Sequence, residues 1–570
     1  MNGAKDSPQQ TRAQDSAFVQ RCSLKQLCQQ LPLSWPTPAG LPASPKKSYR
    51  SGYHYAWGAV CRNAEQVQAW LKLGDFDLAL RLVDFSGLRP VLAQRLGWKS
   101  GRGWEPFDPV SFFLLYLWQT SNHWTRQELL THLAEERYAD YAGWFGFRNG
   151  VYPTEGGMRF FLTRLGSQSE ASGKQVLVEL EGTQIAVAVQ QLNQLLVQAV
   201  GLVRQADLLS PAAWEQALVC PDGQIHDAAS RVRCTSVSES CYQPCTPDQP
   251  RGCPAKAKDR QGCDCNSLAC AQACRYATPR DKEARFIVYT GSNQAEDSPN
   301  AAKTPDPAQT AHGKPRYGYR SLPMRLADPS RRFSLTLLDD LRPANQHEDL
   351  PAAALLLQLP QHYPDLHIDA VAGDAAFGFD LFLHTVYAGL SARRVVDCRA
   401  HATDRDHQQW VTRGYDHHGR PLCPFGYAFS SFGFDRQRSR QKWACDKACR
   451  KNLPPCVALP QVTYPPDECP YQAAEHLHGR VINVAETFPD GSLRLVRDLP
   501  VGSSTWKALY HRARNAVESR NATFEAWGFK RLSVFGMLRA KAAIFLADVL
   551  DTLSTLARLV REATQADLTT

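Results

Sequence analysis

Long apolar runs are what this 570-residue chain lacks first. No stretch reaches the ~18 uninterrupted apolar residues of a membrane span. Phe112 to Trp118 is short, and Ile185 to Val203 is broken by Gln190, Gln191, Asn193, Gln194 and Gln198. No membrane partner is therefore expected. The first 45 residues are rich in Pro, Ser and Gln and lack the apolar block of a secretory signal, which leads to the expectation of a reducing cytosol. A strong charge of one sign is missing too. Lys+Arg 65 against Asp+Glu 56 leave +9, enough to permit an anionic partner without demanding one. The 18 cysteines include no tight repeated CxxC and no ferredoxin-type spacing. What is present is a globular composition, 43% apolar and 10% aromatic, which excludes a wholly disordered, collagenous or coiled-coil chain. The length allows roughly three or four domains.

Residues 1–48 read as a polar head and 49–210 as an all-helical N-terminal domain. Within it Arg126 to Tyr138 carries Leu129, Leu130 and Leu133 at helical spacing, a turn follows, and Thr154 to Leu165 repeats the pattern with Phe160, Phe161 and Leu165. Two helices around a turn fit a helix-turn-helix and equally an ordinary bundle. From 211 to 400 the periodicity shortens to strand-like runs at Ala217 to Cys220, Tyr317 to Leu326, Phe333 to Leu338, Leu366 to Val371 and Arg394 to Val396. A helical pattern stands at Leu350 to Leu359. This alternation predicts an α/β core with a mixed sheet. A Cys-rich insertion at 231–280 interrupts it, 401–503 is a second Cys-rich insertion, and 504–565 is a C-terminal helical part of the core.

Three carboxylates stand where chemistry gathers. Asp222 follows the first predicted strand, in Leu218-Val219-Cys220-Pro221-Asp222-Gly223, and Asp374 follows a later one, in Val371-Ala372-Gly373-Asp374. Both could emerge at one edge of the sheet if their strands are neighbours. Singly, each reads as a turn or helix-capping aspartate before it reads as catalytic, and Asp227 competes with Asp222 as the first acid. Glu518 lies in Tyr510-x3-Arg514-x3-Glu518-x2-Asn521, which puts four side chains on one helix face; it reads equally as an ordinary Arg–Glu pair. From Trp506 to Leu546 eight Lys or Arg face two Glu, a stripe that suits phosphate or a solvated face. Trp506 and Tyr510 could stack on a base but suit core packing better. Three acids make an all-oxygen site suited to Mg²⁺ or Mn²⁺, ions that activate phosphodiester cleavage.

The sequence resembles insertion-sequence transposases of the DDE type. The matching pieces, in order, are Asp222-Gly223 leading to Ala228-Ala229-Ser230, Asp281 to Phe286, Tyr317-Gly318-Tyr319-Arg320, Arg342 to Glu348, Gly373-Asp374-Ala375-Ala376-Phe377, and Trp506 to Asn521. The resemblance covers most of residues 100 to 560. It implies an RNase H-like mixed sheet flanked by helices, with Asp222, Asp374 and Glu518 as catalytic metal ligands. It also implies contacts to double-stranded DNA from Tyr510, Arg514, Asn521, Lys530 and Arg531. Lys530 stands further from Glu518 than the family's lysine does, and Gln224 replaces the usual Thr. The implied function is cleavage at terminal inverted repeats and joining to target DNA, by a homodimer on paired ends, in the cytoplasm at a prokaryotic nucleoid. The helices of about 100 to 165 would recognise the ends. A catalytically inactive zinc-containing DNA-binding descendant and a nuclease that cuts without joining are the other readings.

The clustered cysteines suggest ligation. Cys241, Cys245, Cys265, Cys270 and Cys274 in the first insertion, and Cys445 and Cys449 in the second, have spacings compatible with structural Zn²⁺. Unligated thiols and disulfides are the alternatives, the latter disfavoured in a reducing compartment.

Overall fold

The computed structural model describes residues 24–38, 41, 49–96, 105–148, 150–171, 176–180, 183–187, 190–230, 281, 283–289, 314–328, 333–396, 420–423, 426–438, 440–451, 479–485 and 504–565. The first part is mainly helical: α1 (Leu24–Gln30), α2 (Ala64–Trp70), α3 (Asp75–Leu82), α4 (Leu88–Arg95), α5 (Pro109–Ser121), α6 (Arg126–Leu133), α7 (Ala139–Trp144), α8 (Glu155–Ala171) and α9 (Gln190–Gln205). Two short strands, β1 (Leu33–Ser34) and β2 (Val83–Asp84), pair in parallel beside these helices. Local chemistry starts and stops them. Thr125 and Glu128 form a reciprocal capping box on α6, and buried Asp108 caps α5, where Pro109 occupies the first turn. An expected all-helical region is nevertheless interrupted by the antiparallel hairpin β3 (Val176–Leu180) and β4 (Thr183–Val187).

The α/β part follows with α10 (Pro211–Glu215), β5 (Ala217–Pro221), β6 (Gln224–Asp227), β7 (Arg285–Tyr289), β8 (Lys314–Ser321), β9 (Met324–Ala327), β10 (Ser334–Leu338) and β11 (Leu341–Pro343). Then come α11 (Asp349–His362), β12 (Ile368–Gly373), α12 (Asp380–His384) and β13 (Arg393–Val396). Five strands form the central sheet in the order β10-β9-β5-β12-β13. β5 is antiparallel to β9 and parallel to β12, and β12 is parallel to β13. The predicted run Tyr317 to Leu326 divides into β8 and β9 because Pro323 offers no N–H to a ladder. Three strand pairs break at one level, Asp222-Gly223, Leu322-Pro323 and Asp339-Asp340. Beyond the break the chain continues as a second sheet, β11-β8-β6, with β7 on β8.

Alternation decides which face of the central sheet packs against what. Ala217 and Val219 of β5 face the main core, while Leu218 and Cys220 join Ala370, Ala372 and Val395 against Trp506, Ala513, Ala516 and Val517. The latter four belong to α13 (Ser504–Ala526), which lies across that face. The main core runs without a break from Leu27 to Ala563. Its spine is α14 (Met537–Gln565), packed on α3, α5, α8, α9 and β10. The helical region and the sheet therefore share one interior. Asn193, buried on α9, exchanges two hydrogen bonds with the backbone of Asp339 at 2.9 and 3.1 Å, and Gln198 accepts from Trp35 Nε1 at 3.0 Å. Among the described residues no helix is long and apolar enough to cross a membrane.

α8 and α14 approach so closely that a Cβ on Gly166 would land on the carbonyl of Leu538. Gly166→Ala is therefore expected to lower stability by about 1–3 kcal/mol through overpacking, read as a lower urea midpoint. An unchanged midpoint would show that the helices can part at no cost.

Three more strands complete the described chain: β14 (Ser430–Asp435), β15 (Arg440–Ala444) and β16 (Val481–Ala485), an antiparallel ribbon between β13 and α13 in sequence.

Candidate active site

Asp222 is positioned by the break in its strand. β5 ends at Pro221, the pairing with β9 stops there, and pairing with β8 resumes at Gln224. The two intervening residues turn out of the ladder, leaving the carboxylate of Asp222 almost covered, at 8% exposure. Asp374 comes from the neighbouring strand. β12 runs parallel to β5 with Ala370 opposite Leu218 and Val371 opposite Val219, so both acids leave the sheet at the same edge. From β5 the chain goes on to β9 on one side, and from β12 to β13 on the other. A switch of this kind opens a crevice at the carboxyl ends of strands. Asp374 Oδ1 also accepts from the amide of Ala376 at 2.9 Å, the capping role expected of a lone aspartate.

α13 brings the third acid and its neighbours to this edge. Arg514 Nη1 lies 3.3 Å from Asp222 Oδ1, and Nη2 lies 3.6 Å from Glu518 Oε1. Asn521 Nδ2 stands 3.5 Å from Asp222 Oδ2. The predicted face of Arg514, Glu518 and Asn521 thus points at the end of β5. Glu518 itself is 61% exposed at its side chain. Tyr510 stacks on Trp506 with ring centroids 4.4 Å apart, and Trp506 is buried against the sheet, so this pair packs the helix down. Gln224 donates to the carbonyl of Asn521 at 3.2 Å and accepts from Arg520 at 3.1 Å, a second tie between the strand bearing Asp222 and the helix.

Not every predicted residue joins the group. Lys530 is exposed and pairs with Glu525 at 3.6 Å. Its carbonyl, with Leu532, clamps the backbone of Asp227, and Arg531 is exposed beside it. Asp227 is ion-paired with Arg316 at 2.8 Å. Cys445 and Cys449 lie after β15 and are half-buried. Cys241, Cys245, Cys265, Cys270 and Cys274 lie outside the described residues.

One residue escaped the sequence reading as a site residue. Glu348 precedes α11 and pairs with Arg320 at 2.6 Å. Its carboxylate packs so tightly over Gly223 that a Cβ there would lie 2.5 Å from Oε2. A side chain at Gly223 would require the Glu348 carboxylate to move aside. The only signal was an acid immediately before an apolar helix, which reads as a cap.

The electrostatics follow from burial in the company of like charges. Burial raises Asp222 to about 6, with Asp374 adding to the rise and Arg514 opposing it. Burial likewise raises Glu348 to about 7, opposed by Arg320 and reinforced by Asp222 and Asp374. Burial disfavours the charge on Arg514, but Asp222, Cys220, Tyr510 and Asp374 together outweigh it and the guanidinium stays protonated. At these two acids the folded chain therefore holds more protons than the unfolded one between about pH 4 and 7, and their contribution to stability falls as pH rises through that window. Urea midpoints at pH 5 and pH 8 in chelator should show the drop. Asp222→Asn with Glu348→Gln should lessen it, and a difference unaltered by both changes would contradict the assignment.

Asp222, Asp374 and Glu518 supply a hard oxygen donor set of the kind Mg²⁺ and Mn²⁺ take. Among the described residues no three of His, Cys, Asp and Glu converge closely enough to hold a metal ion. In this arrangement the positive charge between Asp222 and Glu518 is that of Arg514. The donors fit the ion by chemistry, and Arg514 is the group that must yield for Glu518 to join them. No family model matches the chain, and neither the curated proteins nor the solved structures contain a match.

Proposed function

We propose that this chain is a DDE-type transposase that cuts DNA at terminal inverted repeats and transfers the freed strands to target DNA. The observation that carries the reading is the meeting of Asp222, Asp374 and the Arg514–Glu518 face at one edge of the central sheet. The strand order β10-β9-β5-β12-β13, with three antiparallel strands followed by two parallel ones, is the arrangement expected of an RNase H-like core. Acids at the ends of its first and fourth strands and on a later helix match that expectation.

Asp222 and Asp374 would hold Mg²⁺ or Mn²⁺, with Glu518 completing the set. Such ions supply a nucleophilic oxygen and stabilise the leaving oxygen in an in-line displacement at phosphorus. The chain's own groups orient the rest. Arg514, permanently charged, draws Glu518 toward Asp222 and offers a partner for a phosphate oxygen. Asn521 and Gln224 fix the helix against the strand break. Arg320 and Glu348 brace the Gly223 turn, keeping Asp222 at the edge. In the helical region α8 presents Arg159, Phe160 at 53% exposure and Arg164 outward, a face suited to reading DNA ends.

The test incubates the purified protein, Mg²⁺ or Mn²⁺, duplexes carrying the ends of its own element and a supercoiled target. Joined strands are expected. Free ends alone would make it a nuclease, and binding without cutting would make it an inactive descendant.

A further inference from the structure

The β14–β16 ribbon has no part in the site described above, yet it is strongly basic. Over 420–423, 426–438, 440–451 and 479–485 it carries nine Lys or Arg against Asp435 and Asp446, a net of +7. Neither acid is idle. Asp435 accepts from the amide of Arg438 at 3.2 Å, and Asp446 from Ser430 Oγ at 3.1 Å.

Strand alternation sorts the charge onto one face. Along β15, Gln441 and Trp443 point one way, and Trp443 is buried. Arg440 and Lys442 point the other. Lys442 lies opposite Asn483, and Val481, opposite Ala444, shares its face at 46% exposure. On β14 the register slips between Ser431 and Phe434, which leaves Phe432, also 46% exposed, bulged out across from Lys442. Arg436 and Arg438 stand exposed on the turn joining β14 to β15. The side chains of Arg436, Arg438, Arg440 and Lys442 form no ion pair among the described residues. Four cations along one strand and its turn, flanked by an aromatic and an aliphatic side chain, present the spacing and polarity of a phosphate-tracking surface.

We infer that this ribbon, which lies between β13 and α13 in sequence and shares no residue with the candidate active site, is a second contact for duplex DNA. The choice of DNA as occupant rests on the reading proposed above; the basic face itself does not.

The experiment measures binding of the full-length protein to a labelled duplex across a series of salt concentrations. The set comprises the wild type, the combined Arg436→Ala, Arg438→Ala, Arg440→Ala, Lys442→Ala variant, and a charge-keeping Arg436→Lys, Arg438→Lys, Arg440→Lys variant. Each phosphate contact removed should lessen the slope of log K against log salt by about 0.9. The alanine variant should therefore bind at least tenfold more weakly at low salt with a much shallower slope. The lysine variant should keep both, and its unchanged thermal midpoint guards against simple unfolding. A wild-type slope in the alanine variant overturns the inference and leaves the transposase reading standing. No duplex binding by the wild type overturns that reading as well. A larger loss of affinity for an RNA hairpin than for duplex DNA refutes DNA as the occupant.

Discussion

Asp374→Ala is expected to lower cleavage of end DNA by about 10³-fold or more, the scale of losing several kcal/mol of charge stabilisation at phosphorus, while the duplex still binds. Asp222→Ala should do the same, because the two carboxylates leave adjacent parallel strands at one edge. On the proposed reading binding should survive, because the basic ribbon that would contact phosphates lies outside the two carboxylates. Asp374→Ala also removes the cap on Ala376, a cost of about 1 kcal/mol that leaves most of the protein folded. The comparison that gives the result meaning is Asp227→Ala. Asp227 is occupied by Arg316, so its loss should spare cleavage. A dead Asp227 variant with an active Asp222 variant would move the site to β6.

Arg520→Ala should have the largest effect on stability. The guanidinium is fully buried on α13, bidentate to Asp548 at 2.7 and 3.0 Å and bonded to Asp339 at 2.9 Å. The same network continues through Thr336 to Asp548 and through Arg325 to Asp551. Burial beside Asp548 pushes Asp339 well up, whereas Arg520 holds Asp548 down. Of the two carboxyls, Asp339 is therefore the one pushed toward its neutral form. Removing Arg520 leaves Asp548 charged in the interior, a loss of about 3–5 kcal/mol against a whole-domain stability of about 5–15 kcal/mol. A urea titration should show a large fall in midpoint. Asp339→Asn, which removes the acid whose charge is the less favoured of the two, should cost less; equal losses would contradict that ordering. The network also explains how α13 is held so that Arg514 reaches Asp222.

The elements legible in the sequence were those whose signal is local. Apolar runs at Ala217 to Cys220 and Phe333 to Leu338 became β5 and β10, and Leu350 to Leu359 became the heart of α11. The helix face of Arg514, Glu518 and Asn521 followed from spacing alone. The features that were illegible depend on distant partners. Asn193 and Gln198 looked like solvent-facing breaks in an apolar run, yet both are buried because Asp339 and Trp35 satisfy them. Glu348 entered the sequence reading only as the end of the segment Arg342 to Glu348, because nothing in its neighbourhood announces Gly223. Lys530 looked like a phosphate ligand by charge, but its backbone is the part that matters, clamping Asp227.

The central claim is that Asp222, Asp374 and Glu518 serve one divalent cation site. Manganese titration followed by electron paramagnetic resonance tests it directly, on the wild type and on Asp222→Asn, Asp374→Asn and Glu518→Gln. The wild type should take up Mn²⁺ at saturable sites, each of these substitutions should weaken that uptake, and Arg514→Gln, which removes the cation between Asp222 and Glu518, should not weaken it. Uptake unaltered by Asp374→Asn would contradict the account.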